Sequence, residues 1–133
     1  MASQIKAVAT DEAPGAIGPY SQAIRAGDLL FVSGQLPIDP ASGKFNSDDP
    51  VAQMRQCLAN IGAIAQAAGA DLSRVVKTSI MLTDLSRLAE INDAYGQCFA
   101  APYPVRSTFE VSALPRGAKV EVEAVISLAP DRL

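Results

Sequence analysis

The chain has no histidine, no tryptophan and only two cysteines among its 133 residues. The missing histidine excludes most. Without an imidazole there is no commonest metal ligand, no usual general base near neutral pH, and no Ser-His or Cys-His nucleophile pair. Any chemistry has to come from Glu, Asp, Tyr, Lys, Cys or backbone groups, which favours positioning and electrostatics over an activated nucleophile. Cys57 and Cys98 fall in separate predicted helices at a spacing that matches no metal or redox motif. They read as small core hydrophobes in a reducing compartment. A surplus of positive charge is also missing. The eleven Lys and Arg are scattered among fourteen Asp and Glu, for a net charge of −3, so nucleic acid is not an expected partner. No apolar run is long enough to cross a membrane, and MASQIKAVAT lacks the basic and apolar regions of a signal peptide. The expectation is a cytoplasmic protein with no membrane partner.

What is present is a 49% hydrophobic, 19% charged composition, which fits one compact domain over residues 1–133. No repeat, low-complexity tract or linker interrupts it. A short strand is predicted around Gln4–Ala7, then a loop rich in Gly and Pro, then strands near Ser21–Ala26 and Leu29–Ser33 joined by a tight Gly27-Asp28 hairpin. Asp49 followed by Pro50 signals the start of a helix that runs to about Ala68 and ends at Gly69. Its Val51, Met54, Leu58, Ile61, Ile64 and Ala68 recur in steps of three and four, so one face is buried. The β-branched run Val75–Leu82 predicts a strand. A second helix is expected from Thr83-Asp84, with Leu85, Leu88, Ile91, Tyr95 and Phe99 on one side. Strands at about Ser107–Val111 and Lys119–Leu128 close the chain. Strand pairs alternating with two helices imply an α+β fold, both helices lying on one face of a mixed sheet. The last strand turns Val120, Val122, Ala124, Ile126 and Leu128 toward them. Its other face, with Lys119, Glu121, Glu123, Val125 and Ser127, is neither cleanly polar nor cleanly apolar, as a face covered by another subunit would be.

Several residues carry two readings each. Arg106, in YPVRSTFEV, shares a strand face with Thr108 and Glu110; it is either a solvated cation or a planar clamp for a carboxylate. Asn92 places an amide on the apolar stripe of the second helix, where it needs partners for both donor and acceptor. They are either a neighbouring loop or a ligand. Glu121 and Glu123 project from the same strand face, as an outer polar face or as carboxylates for acid–base work. Tyr20, in GPYSQ, anchors a loop or closes over a ligand. Ser33-Gly34 forms a turn or lines a pocket.

In order and spacing, the segments APGAIGPYSQA, FVSGQLPIDPASG, VVKTSIMLTDL, INDAYGQCF and PVRSTFEVSALPRGAKVEVEAVI resemble the Rid family (reactive intermediate deaminases, YjgF-like). The match runs from Ala13 to Ala129. The resemblance implies a chorismate-mutase-like fold, a homotrimer around a central barrel, and three clefts between subunits. It also implies hydrolysis of 2-imino or enamino acids, products of pyridoxal-phosphate-dependent dehydratases, to 2-oxo acids and ammonia, with no metal or cofactor. Carried over by position, Arg106 would hold the substrate carboxylate and Glu121 would position the attacking water. Tyr20, Ser33, Gly34, Asn92 and Thr108 would complete the pocket, and Glu123 would be structural. Two departures stand out. Thr108 occupies a position where many relatives have cysteine, and AAPYPV before Arg106 is short. Two other functions stand beside this hydrolysis: a non-catalytic trimer that binds small carboxylates such as 2-oxo acids, and the ribonuclease or translation-inhibitor activity ascribed to some members of the family. The acidic charge and missing histidine argue against the last.

Overall fold

Gly27 and Asp28 reverse the chain between strands β2 (Ala23–Ala26) and β3 (Leu29–Gln35). Gly27 takes a φ of 60°, the left-handed conformation that such a hairpin needs. The computed structural model describes residues 4–130, so the ends of the chain, including the first three residues of MASQIKAVAT, lie outside it. Strand β1 (Ile5–Val8) pairs with β2, one residue later than expected. The remaining elements are helix α1 (Pro50–Ala67), β4 (Val75–Leu82), helix α2 (Leu88–Gly96), β5 (Val105–Glu110) and β6 (Val120–Ser127). They complete a six-stranded sheet in the order β1-β2-β3-β6-β4-β5. Every neighbouring pair is antiparallel except β4 and β5. This is the α+β arrangement expected, with a mixed sheet.

Helix α1 begins as its sequence dictates. The Asp49 carboxylate accepts a hydrogen bond from the Ala52 N–H (3.1 Å), and Pro50 occupies the first turn. The helix ends at Ala67, and Gly69 follows in the left-handed conformation at φ 81°. Met54, Leu58, Ile61 and Ile64 are buried, while Val51 and Ala68 are partly buried at the two ends. Two buried polar side chains tie this helix to what surrounds it. Asn60 Nδ2 donates to the carbonyls of Leu36 (3.1 Å) and Ile38 (3.0 Å). Gln53 donates to the Ser47 carbonyl and accepts from the Lys119 N–H (2.8 Å), just before β6.

The second helix starts later than the sequence suggests. Asp84 Oδ1 accepts from the Ser86 N–H (2.9 Å), and Glu110 takes the Leu85 N–H (3.0 Å). Those side-chain bonds tighten Leu85–Arg87 into a 3-10 turn, and α2 begins only at Leu88. Leu85 is consequently exposed rather than part of the buried stripe, whereas Ile91 and Tyr95 are buried as expected. Strand β5 also begins earlier than its sequence implies, because parallel pairing with β4 already holds at Val105 opposite Lys77.

Residues Val120, Val122, Ala124 and Ile126 of β6 are buried under the helices together with Leu30, Val32, Ile80 and Leu82. The opposite sheet face carries Phe31, Ser79, Met81, Phe109, Glu121, Glu123 and Val125, and no described element lies across it. Phe31 and Phe109 are about half exposed there.

Candidate functional site

The candidate residues fall into two groups. The first is built around an irregularity in β3. Val32 pairs with Ala124 and Gln35 with Val122, so Ser33 and Gly34 together oppose only Glu123. This bulge bends the strand and brings a glycine against the next side chain on that face. That side chain is Glu121. A Cβ on Gly34 would lie 2.8 Å from Glu121 Oε2, closer than side chains tolerate, so only glycine leaves the carboxylate where it is. Ser33 is fixed from the other side, its N–H and Oγ both donating to the Gln22 carbonyl at 2.9 and 3.0 Å.

Gln22 is buried and organises the loop above. Its Oε1 accepts from the Thr10 N–H (2.7 Å), and its Nε2 donates to the carbonyls of Thr10 (3.0 Å) and Pro14 (2.7 Å). The loop carries Tyr20, whose hydroxyl accepts from the Ile17 N–H (3.2 Å) while the ring packs on Gly18, at φ 135°. Tyr20, Ser33, Gly34 and Glu121 line a half-open cavity of about 450 Å³, bordered also by Leu36, Ile38 and the turn at Pro115-Arg116. Asn60 therefore steadies the cavity wall from the helix side. Burial, and then repulsion from Glu123, raise the Glu121 carboxyl above its ordinary value. A half-buried carboxylate poised in this way is suited to accept a proton. Glu123 itself is exposed.

The second group lies at the β5 edge. Arg106 pairs with Thr78, which in turn pairs with Ala124, so Arg106 points to the helix side of the sheet. Its guanidinium carbon lies 5.0 Å from the centroid of the Tyr95 ring. The Tyr95 hydroxyl is held by Thr78 Oγ1 at 2.7 Å in a buried hydrogen bond, and Phe99 packs on the ring at 4.7 Å. The arginine thus rests on an aromatic platform that is itself anchored. Asn92 precedes Tyr95 by one turn of α2, and its Oδ1 is buried without a hydrogen-bond partner. Of its two sequence readings, a loop bond to that oxygen is the one the structure lacks. Thr108 follows on the same face as Arg106, half-buried opposite Ile80.

Arg106 and Glu121 do not meet within one chain. Glu121 shares its face with Met81 and Phe109, and Arg106 shares the other with Thr78 and Ala124, so the sheet separates them. Sequence reasoning gave no role to Gln22, treated Tyr95 only as core, and passed over Arg116. A glutamine directly before a strand was the one available sign for Gln22. Among the described residues no group of three or more His, Cys, Asp or Glu could hold a metal ion, and no helix is long and apolar enough to cross a membrane.

A helix-backed antiparallel sheet with a parallel edge strand, bulged to admit one carboxylate, defines an α+β fold of the Rid class. The chain belongs to the Rid (YjgF-like) family, whose family model, described as Endoribonuclease L-PSP, matches residues 10–128. It is 64% identical over 124 residues to the RutC family protein y4sK of Sinorhizobium fredii, covering 93% of this chain and 98% of that one. It is 43% identical to a 2-iminobutanoate/2-iminopropanoate deaminase of Capra hircus, covering 92% of this chain and 90% of the relative. Its fold is similar to the crystal structure of RidA from the Antarctic bacterium Psychrobacter, with a TM-score of 0.88 at 41% identity, covering 92% of this chain and 98% of that one.

Proposed function

We propose that this protein hydrolyses 2-imino and enamino acids, such as 2-aminoacrylate or 2-iminobutanoate, to 2-oxo acids and ammonia. The observation that carries the reading is Glu121: a half-buried carboxyl of raised pKa, laid over Gly34 in a cavity. Membership of a family with imine-deaminase relatives supports it. The opposed orientations of Arg106 and Glu121 favour a cleft between copies, Arg106 coming from one and Glu121 from its neighbour. A homotrimer joined through the open sheet face would supply three such clefts.

In that cleft Arg106 grips the substrate carboxylate through two parallel hydrogen bonds and fixes C2. Asn92, with its free Oδ1, and Thr108 lie beside it; Tyr20, Ser33 and the Gly34 backbone belong to the Glu121 side. An enamine first takes a proton at C3 to become the iminium, which is electrophilic at C2 without any enzymic nucleophile. Water adds to C2 as Glu121 accepts one of its protons, and the C=N electrons move to nitrogen. The proton then passes from Glu121 to the amino group of the tetrahedral carbinolamine. The C–N bond breaks, ammonia leaves, and loss of the hydroxyl proton gives the 2-oxo acid. Holding two reactants in place in this way supplies several kcal/mol without histidine. Pyridoxal-phosphate-dependent dehydratases of serine and threonine are the class of enzyme that generates these substrates.

The test couples such a dehydratase to the purified protein and follows release of pyruvate or 2-oxobutanoate. Wild type should accelerate release, and Arg106→Ala and Glu121→Gln should each abolish the acceleration. Refolding the two variants together at equal amounts should restore about a quarter of the sites, because each cleft draws on two copies. Full activity of either variant would sink its assigned role, and no recovery in verified mixed oligomers would sink the shared cleft.

A further inference from the structure

Arg116 lines the same cavity as Glu121, yet the hydrolysis described above makes no use of it. It is the sole cation among the residues lining the cavity, and it forms no ion pair among the described residues. Its backbone is also unusual. Arg116 lies at φ 59° and ψ 19°, inside the turn Pro115–Gly117. For a residue with a Cβ that conformation costs about 1–2 kcal/mol, and it persists only where the surroundings hold it.

The surroundings do hold it. Arg116 Nη2 donates to the Gly43 carbonyl (3.3 Å), and the guanidinium carbon sits 5.6 Å from the centroid of the Phe45 ring. Both contacts belong to the loop between β3 and α1, whereas Glu121 is fastened over Gly34 of β3. The guanidinium is thus held by the loop after β3, and the carboxylate by β3 itself. Neither contact neutralises the guanidinium, and one carbonyl bond leaves most of its five N–H donors unused. The cavity on one chain, about 450 Å³, lies within the size range of small-molecule sites.

We infer that Arg116 binds a second anionic group, the side-chain carboxylate of the substrate, so that the cavity accepts dicarboxylic 2-imino acids of the aspartate or glutamate type. This rests on the hydrolytic reading: Arg106 takes the carboxylate at C1, Glu121 serves C2, and Arg116 reads the far end. A planar guanidinium suits a carboxylate better than an ammonium does.

Calorimetric binding of two products, 2-oxoglutarate and 2-oxobutanoate, tests the inference without relying on turnover. Arg116→Asn is the informative variant because asparagine tolerates the left-handed backbone; Arg116→Lys keeps the charge and guards against a folding defect. Arg116→Asn should weaken 2-oxoglutarate about tenfold more than 2-oxobutanoate, with Arg116→Lys in between. Equal losses for the two ligands, or none, would overturn the assignment. Turnover of the matching imines, made in situ by amino-acid oxidases, is read in parallel. Selective binding loss without turnover of either imine would refute the hydrolase and leave the second anion site standing. Turnover of 2-iminobutanoate with no selective loss would do the reverse.

Discussion

Replacing Gly34 by alanine adds one methyl group where Glu121 already lies. The new Cβ would be 2.8 Å from Oε2, 2.9 Å from Cδ and 3.3 Å from Cγ of that side chain. Ordinary van der Waals contact needs the carboxylate to retreat by roughly 0.6 Å. The obstructed group is the end of a flexible side chain, so it moves and the strands stay. A displaced rotamer costs about 0.5–1.5 kcal/mol. Gly34 is not in the left-handed region, so alanine also lowers the entropy of the unfolded chain, offsetting about 0.4–1 kcal/mol of that loss. Net stability should therefore stay within about 1 kcal/mol of wild type, a change of a few degrees in Tm. Turnover should respond far more. A catalytic group misplaced by ~1 Å can cost about a hundredfold, so kcat in the dehydratase-coupled assay should fall by tens to a hundredfold. KM should change little, because Arg106, the proposed carboxylate clamp, is untouched. Wild-type kcat together with wild-type Tm would refute the claim that the bulge exists to seat this carboxylate.

Three further tests address the same machinery. The Glu121 carboxyl is held above its ordinary 4.5 by burial and then by Glu123. The folded chain binds that proton more tightly than the unfolded one, so Glu121 lowers stability as pH rises from about 4.5 through the raised folded value. Glu121→Gln should flatten that stretch of the Tm–pH curve, and an unchanged slope would contradict the assignment; Glu123→Gln should move the acid limb of kcat/KM to lower pH. Tyr95→Phe leaves the buried Thr78 hydroxyl unpaired and should cost about 1–2 kcal/mol in urea unfolding while preserving KM, whereas Tyr95→Leu also removes the platform under Arg106 and should raise KM. Equal KM in the two variants would show that the ring does not position the arginine. Asn60→Ala strands the Leu36 and Ile38 carbonyls and should destabilise by about 2–3 kcal/mol by the same measurement; a loss under 0.5 kcal/mol would mean that the cavity wall is held by other contacts.

Elements written out by local chemistry were legible in the sequence. Asp49-Pro50 and Gly69 bracket α1, because caps and breakers act within a turn of where they stand. The three- and four-residue spacing named Met54, Leu58, Ile61 and Ile64 as core, and strict alternation oriented β6. Alternation also put Arg106 with Thr108, and Glu121 with Glu123, on common faces. Where competing bonds come from afar, local reading slipped. Glu110 takes the Leu85 N–H across 25 positions and delays α2, and pairing with β4 advances the start of β5.

Which of those faces coincide is set by the pairing between strands. Alternation relates residues within a strand but says nothing about two strands that never touch, and β5 and β6 are joined only through β4. That register sets Arg106 and Glu121 on opposite sides of the sheet, so a site using both would have to draw them from different copies. The bulge at Ser33-Gly34, the Tyr95 ring beneath Arg106 and the turn that brings Arg116 to the cavity rim have the same origin. Each depends on contacts between separate elements, and no local periodicity records them.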